Sequence, residues 1–155
     1  MQQSAKGYIL LVDDEPTITR YMQKALERKG YNTDFARNGN EALIKIRKNR
    51  PDLVVSDVMM PEMDGFDLLG VIRRDPALMD LPVLMLTARP ADFGYDDNAR
   101  MQQWFATTAG TETEGYLVKP VNPELLIKAV EHILSTAQVK SQQGGLGLPQ
   151  SQSVD

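Results

Sequence analysis

The segment PDLVVSDVMMPEMDG, residues 51–65, carries the strongest structural signal in the chain. It includes the apolar run Leu53-Val54-Val55, which stops at Asp57, and it contains Asp64, a residue type that often caps a helix. The apolar run is continuous rather than alternating, which is typical of a strand covered on both faces. The segment therefore predicts a buried strand that leads through a turn into a helix.

Three further continuous apolar runs lie at residues 8–12, 83–86 and 116–118, and a weaker, alternating run at residues 32–36 predicts an edge strand. Segments with helical periodicity separate these runs. Their apolar stripes are Ile18, Met22, Ala25 and Leu26 after Pro16; Ala42, Leu43 and Ile46 after Asn38; Leu68, Leu69 and Ile72 after Asp64; and Leu126, Ala129, Val130 and Ile133 after Asn122-Pro123. This alternation predicts an α/β fold, a doubly wound five-stranded parallel sheet with helices on both faces.

Length and composition fit one globular domain. The chain has 155 residues, of which 42% are apolar and 25% charged. We expect a domain over residues 7–137, preceded by an N-terminal extension, residues 1–6. Residues 138–155 are rich in Gln, Ser and Gly, which predicts a flexible C-terminal tail.

Several classes of site are excluded by residue type. Cysteine is absent, so the chain has no disulfide, thiolate nucleophile or cysteine-ligated metal, and a single histidine, His132, cannot form a multi-histidine site. No apolar run approaches the roughly 18 residues that span a bilayer. We expect a cytoplasmic protein without membrane contact.

The charges are unevenly distributed. The net charge of −4 argues weakly against direct nucleic-acid binding. Residues 20–50 carry nine basic and three acidic side chains, whereas residues 57–124 carry five basic and twelve acidic ones. Ordinary solvated helix faces and a face that steers a partner both remain possible interpretations.

The residues that end the predicted strands carry the chemistry. The four apolar runs stop at Asp13-Asp14-Glu15, at Asp57, at Thr87 and at Lys119-Pro120. The carboxyl ends of parallel strands share one edge of a sheet, where ligands bind. Three carboxylates, a hydroxyl and an ammonium are therefore expected to converge there.

A carboxylate cluster of this kind requires a cation, because like charges packed together raise one another's pKa. Oxygen ligands with open positions suit Mg²⁺, and a nearby lysine suits a phosphoryl oxygen. A hydroxyl can donate to another such oxygen. The pattern predicts an aspartate nucleophile that accepts a phosphoryl group with metal assistance.

Four motifs resemble one known family. They are ILLVDDE at residues 9–15, PDLVVSDVMMPEMDG at 51–65, LTA at 86–88 and GYLVKP at 115–120. Together they are similar to the response regulator receiver domain of bacterial two-component signalling, in its single-domain, chemotaxis-regulator-like form. The resemblance covers about residues 7–137 and is specific.

The resemblance implies a flavodoxin-like sheet with strand order 2-1-3-4-5 and a role for each strand-end residue. Asp57 is the implied phosphorylation site. The implied Mg²⁺ ligands are Asp13, Asp14, Asp57 and the backbone carbonyl of Met59. Thr87 and Lys119 are implied to bind the phosphoryl group with Asp57, Tyr116 to change rotamer when Thr87 moves, and the peptide bond between Lys119 and Pro120 to be cis.

The resemblance also implies partners. A sensor histidine kinase or histidine phosphotransfer protein would donate the phosphoryl group, and a downstream protein would read the changed surface. No membrane or direct nucleic-acid partner is expected. The chain is expected to catalyse its own phosphorylation but not to turn over an external substrate.

One departure from the family concerns spacing. Thr87 and Lys119 lie 32 positions apart, which is longer than is usual in the family. An insertion is therefore expected between Arg89 and Gly115, around the family's fourth helix. Trp104 and Phe105 within it could form a partner-specific surface, or the extra residues could be a passive loop with Trp104 buried.

Two other functions are alternatives to a phosphorylated receiver. Phosphatases and mutases with an aspartate nucleophile place a second acid two residues later, where this chain has Met59, which cannot protonate a leaving group. A pseudo-receiver that binds partners without phosphorylation would be expected to lack Asp57, Thr87 or Lys119, and all three are present. A relay intermediate, a terminal regulator and a piece of a longer protein all remain open.

Overall fold

The structure, a computed structural model, describes residues 6–87 and 115–137. The expected insertion with Trp104 and Phe105 lies outside the described residues, as do the expected C-terminal tail and most of the N-terminal extension. The described residues form five strands and four helices. They are β1 (Tyr8–Val12), α1 (Pro16–Glu27), β2 (Asn32–Ala36), α2 (Gly39–Lys48), β3 (Leu53–Asp57), α3 (Gly65–Arg74), β4 (Val83–Thr87), β5 (Gly115–Val118) and α4 (residues 123–137).

All five strands run parallel in the order β2-β1-β3-β4-β5. This confirms the predicted fold class and strand order. The register aligns the carboxyl ends of neighbouring strands, because Val12 lies beside Ser56, Asp57 beside Leu86, and Thr87 beside Val118. Residues that follow β1, β3, β4 and β5 therefore share one edge of the sheet.

The sheet separates two apolar clusters. Alternate residues of a strand point to opposite faces, so Leu10 and Val12 of β1 pack with α2 and α3, whereas Ile9 and Leu11 pack with α1 and α4. All four side chains are fully buried. β3 and β4 are buried at every position, which confirms the interpretation of their continuous apolar runs. The same interpretation is wrong for the run at residues 116–118, because β5 is the outer strand on the other side of the sheet and its Val118 is 52% exposed. The polar strand β2 lies at the sheet edge, as its alternation predicted.

Side-chain caps start three of the helices. Asn38 Oδ1 accepts a hydrogen bond from Glu41 N at 2.9 Å, Asp64 Oδ1 from Asp67 N at 2.8 Å, and Asn122 Oδ1 from Glu124 N at 2.8 Å. α1 begins instead with proline at its first position. None of the helices in the described part of the chain has the length and apolar character needed to span a bilayer.

Candidate functional site

Three polar side chains are buried at the carboxyl edge of the sheet. Asp13 follows β1 and is 1% exposed, whereas Asp57 and Thr87 end β3 and β4 and are each 6% exposed. Asp14, beside Asp13, is exposed. Burial of polar groups is costly without partners, so their positions here depend on the contacts they make with one another and with the backbone.

Lys119 joins two of the carboxylates. Its Nζ lies 3.0 Å from Asp13 Oδ2 and 3.1 Å from Asp57 Oδ2. The backbone N–H of Lys119 donates to the carbonyl oxygen of Thr87 at 2.8 Å, which fixes the lysine beside the end of β4. The peptide bond between Lys119 and Pro120 is cis, as the resemblance implied.

The second oxygen of each carboxylate faces the backbone. Asp13 Oδ1 accepts a hydrogen bond from Glu15 N at 2.9 Å, and Asp57 Oδ1 accepts a longer one from Met59 N at 3.4 Å. Each carboxylate is therefore oriented by one backbone N–H and by the shared ammonium of Lys119. The arrangement holds Asp13 and Asp57 side by side.

Among the described residues, the site is short of positive charge. Burial and the negative charge of Asp13 raise the pKa of Asp57 to about 6, although Lys119 and the Met59 N–H act in the opposite direction. Burial alone would lower the pKa of Lys119, but Asp57 and Asp13 together outweigh that effect and raise it. Lys119 therefore remains charged, and its single positive charge only partly compensates the acidic cluster.

The donor set fits a hard divalent cation. One carboxylate oxygen each from Asp13, Asp14 and Asp57 lie within 4.8 Å of one another. Oxygen-only ligands with one exposed side suit Mg²⁺, which keeps several of its waters when bound to proteins. The residues named from the sequence as metal ligands therefore include three that the fold brings together.

The sequence did not predict two contacts with the backbone carbonyl oxygen of Asp57. A Cβ atom added to Gly65 would lie 2.3 Å from the carbonyl oxygen of Asp57, so the start of α3 packs directly against that backbone. Ser56 is fully buried, and its Oγ donates to the same carbonyl oxygen at 3.0 Å. The sequence pattern gives no signal for either contact, because both depend on how the start of α3 and the end of β3 pack around one backbone carbonyl.

Tyr116 lies on β5, where its Cα pairs with that of Met85 on β4. Its side chain packs against the apolar cluster beneath α2 and α3, with the hydroxyl oxygen buried. Burial raises the pKa of the Tyr116 phenol well above its usual range. Met59, by contrast, is 57% exposed next to the site.

Residues 9–131 match a family model whose description is response regulator receiver domain. The chain belongs to this family. The receiver is 36% identical over 137 residues to Response regulator Rre1 of Synechocystis sp., a match that covers 88% of this chain and 55% of the relative. It is 39% identical over 131 residues to an uncharacterized 14.6 kDa protein of Leptolyngbya boryana, a match that covers 84% of this chain and 92% of the relative.

A solved structure agrees with these relatives. The crystal structure of a putative response regulator from Chloroflexus aurantiacus superposes with a TM-score of 0.70 at 35% identity, and the match covers 83% of this chain and 98% of that one. The receiver spans only about half the length of most curated relatives that it matches. The comparisons confirm the predicted family and fold, whereas the role of each site residue stays a prediction.

Proposed function

We propose that this receiver is switched by phosphorylation of Asp57, with a sensor histidine kinase or a histidine phosphotransfer protein as donor. One observation carries the proposal: Asp57 and Asp13 are buried side by side and share Lys119 at 3.1 and 3.0 Å. A carboxylate held in this way has an oxygen available as a nucleophile and an ammonium beside it for a phosphoryl oxygen.

In the proposed reaction, a carboxylate oxygen of Asp57 attacks the phosphorus of a phosphohistidine. A phosphorus–oxygen bond forms as the phosphorus–nitrogen bond breaks, and the released imidazole nitrogen takes a proton. Lys119 stabilises the negative charge of the transferred group, and the hydroxyl of Thr87 donates to another of its oxygens. Asp13, Asp14, Asp57 and the Met59 carbonyl would hold Mg²⁺, which supplies charge neutralisation for phosphoryl transfer.

The signal would leave the site through Thr87 and Tyr116. A phosphoryl group on Asp57 that draws Thr87 inward changes the packing around Tyr116, because β4 and β5 are paired neighbours. A downstream protein would then bind the altered surface. Such coupling requires an element with two arrangements that the phosphoryl group biases.

We also propose that the receiver turns over no external substrate. An aspartate-based phosphatase or mutase requires an acid two residues beyond its nucleophile, and that position holds the thioether of Met59. The thioether has no proton to donate. Phosphorylation of Asp57 would therefore be the receiver's own half of a transfer reaction.

The experiment that tests the proposal is phosphorylation of the receiver by acetyl phosphate, followed by intact-mass measurement. We expect one phosphoryl group on the wild type with Mg²⁺, and none on Asp57→Asn or when the metal is chelated. Asp80→Asn is the control, because Asp80 lies on the surface in an ion pair with Arg50. Labelling of Asp57→Asn would contradict the proposal, and a wild type that takes no label from acetyl phosphate or from any kinase would favour a pseudo-receiver.

A further inference from the structure

The outer strand β2 has a free edge in the described part of the chain. Within residues 6–87 and 115–137, β2 pairs only with β1, which lies on one side of it. Asn32 N donates to Gly7 O at 2.9 Å and Ala36 O accepts from Asp13 N at 3.0 Å, so Asn32, Asp34 and Ala36 turn their backbone groups toward β1. The backbone groups of Thr33 and Phe35 therefore point away from the sheet. A free strand edge is a template for pairing with another chain.

Both backbone groups of Phe35 are occupied by side chains. Its N–H donates to Asp34 Oδ1 at 2.8 Å, and its carbonyl oxygen accepts from Lys45 Nζ at 2.6 Å. The same Lys45 Nζ lies 3.2 Å from Asp34 Oδ1. The two side chains therefore contact each other as well as the backbone of Phe35. We call Asp34 and Lys45 the edge pair.

Further contacts hold the edge pair in place. Lys45 Nζ lies 5.0 Å from the centroid of the Phe35 ring and 3.9 Å from Glu41 Oε2 one helical turn earlier in α2. Glu41 is itself hydrogen-bonded to the turn before α2, because its Oε1 accepts a hydrogen bond from Arg37 N at 2.9 Å. The lysine side chain is only 30% exposed, so it is fixed against the strand rather than extended into solvent.

The N–H and carbonyl oxygen of Phe35 are the groups that β2 of a second copy of the chain would need for strand pairing. If two β2 strands paired antiparallel about a two-fold axis at Asp34, Thr33 of each copy would face Phe35 of the other and exchange two hydrogen bonds with it. The edge pair already satisfies the Phe35 donor and acceptor. The axis would also place the two Asp34 carboxylates directly opposite each other, where like charges are unfavourable.

We propose that the edge pair prevents the free edge of β2 from pairing with β2 of a second copy of this chain. The pair does so in two ways: its side chains occupy the only donor and acceptor of Phe35, and the Asp34 charge repels its own copy. The inference does not depend on phosphorylation.

The test removes the edge pair and measures self-association. In the variant Asp34→Thr with Lys45→Met, the net charge is unchanged, methionine keeps the helix propensity of lysine, and threonine suits a strand better than aspartate does. We expect a dimer dissociation constant at least about tenfold lower than that of the wild type, measured by sedimentation over a concentration series. Hydrogen exchange should show the Phe35 amide becoming slower as protein concentration rises.

The matched control removes a similar pair elsewhere. Arg50 donates to a backbone carbonyl, that of Ala77, at 2.7 Å and lies 3.3 Å from Asp80 Oδ1, with no free strand edge involved. The variant Asp80→Thr with Arg50→Met should associate like the wild type. A third variant adds Phe35→Pro to the edge-pair variant, which removes the edge N–H and should reverse the association.

Circular dichroism and urea unfolding establish that each variant is folded. An edge-pair variant that is folded and associates no more strongly than the control would overturn the proposal. Association without slower exchange at Phe35, or association that survives Phe35→Pro, would overturn it as well, because the copies would then meet at another surface.

Discussion

Asp57 is buried, and the ammonium beside it, that of Lys119, is shared with Asp13. Its carboxylate is 6% exposed, lies against Asp13 and shares Lys119 with it, and its pKa is raised from 3.8 to about 6. A raised carboxyl pKa means that the folded state holds the proton more tightly than the unfolded state does. The stability that this provides is fully present below the unfolded pKa and is lost as the pH rises through about 6.

We therefore expect Asp57→Asn to stabilise the metal-free receiver at neutral pH. The amide has no charge to bury, and a pKa change from 3.8 to about 6 corresponds to at most roughly 3 kcal/mol. Urea unfolding with a chelator present should give Asp57→Asn a higher free energy of unfolding than the wild type at pH values above the folded pKa of Asp57. Below pH 3.8 the two free energies should differ little. The surface variant Asp80→Asn should show no such pH dependence. A gain of equal size at both pH values would contradict the assignment of the charge to Asp57.

Lys119 occupies the space between two of the implied metal ligands. Its Nζ is within 3.1 Å of an oxygen of both Asp13 and Asp57, so a divalent cation must compete with the ammonium for these oxygens. We expect Lys119→Met to bind Mg²⁺ several-fold more tightly in calorimetric titrations, and to take up a phosphoryl group more slowly. Lys48→Met, a change at an exposed position of α2, is the control. An unchanged or weaker affinity for Mg²⁺ would show that the lysine does not compete.

The helix α3 depends on one of its two glycines and is weakened by the other. Gly65 leaves room for the carbonyl oxygen of Asp57, which a Cβ would approach to 2.3 Å. Gly70 lies within the same helix, and its added Cβ would come no closer than 3.1 Å to the flexible guanidinium of Arg74. The same substitution should therefore act in opposite directions at these positions.

We expect Gly65→Ala to lower the free energy of unfolding by about 1–3 kcal/mol, because the backbone must shift to remove the clash. Gly70→Ala should raise it by about 0.5–1 kcal/mol, since alanine has the lower conformational entropy cost inside a helix. Chemical denaturation of both variants is the measurement. Equal destabilisation by the two changes would mean that the contact with Asp57 does not limit position 65.

Local patterns were sufficient to predict the elements that carry the site. Each buried strand contains a continuous apolar run, and the residue at its end or just after it, such as Asp57 or Asp13, stands out by its chemistry. Contacts between elements distant in sequence could not be predicted. Lys45 lies on α2 and Asp34 lies on β2, 11 positions earlier. Their hydrogen bonds to the Phe35 backbone depend on how α2 packs against the sheet. Glu62 has a φ of 68°, a conformation for which its residue type gives no signal.

For the whole molecule, the unusual feature is the length of chain between Thr87 and Lys119. The two residues are joined by a backbone hydrogen bond of 2.8 Å although 32 positions separate them. Of the intervening residues, 88–114 lie outside the described residues, so the role predicted for the insertion stays a prediction. Trp104 is the only tryptophan in the chain, which makes this segment accessible to measurement.

We expect the fluorescence of Trp104 to change when beryllofluoride and Mg²⁺ are added, because a phosphoryl mimic at Asp57 would act on Thr87 at the start of this segment. Asp57→Asn should show no change under the same conditions. If the emission of the wild type is unaltered, and if Phe105→Ala also leaves partner binding unaltered, the insertion has no part in signalling.

The position of β1 has a consequence for the newly made protein. Of the five described strands, β1 leaves the ribosome before the others, yet it lies between β2 and β3 and is buried on both faces of the sheet. Its second neighbour is complete only at residue 57, which is 45 residues after β1 ends at residue 12. At translation rates of about 5–20 residues per second, its apolar side chains wait roughly 2 to 9 seconds for that neighbour. During this interval Ile9, Leu10 and Leu11 form a target for chaperones and for other nascent chains.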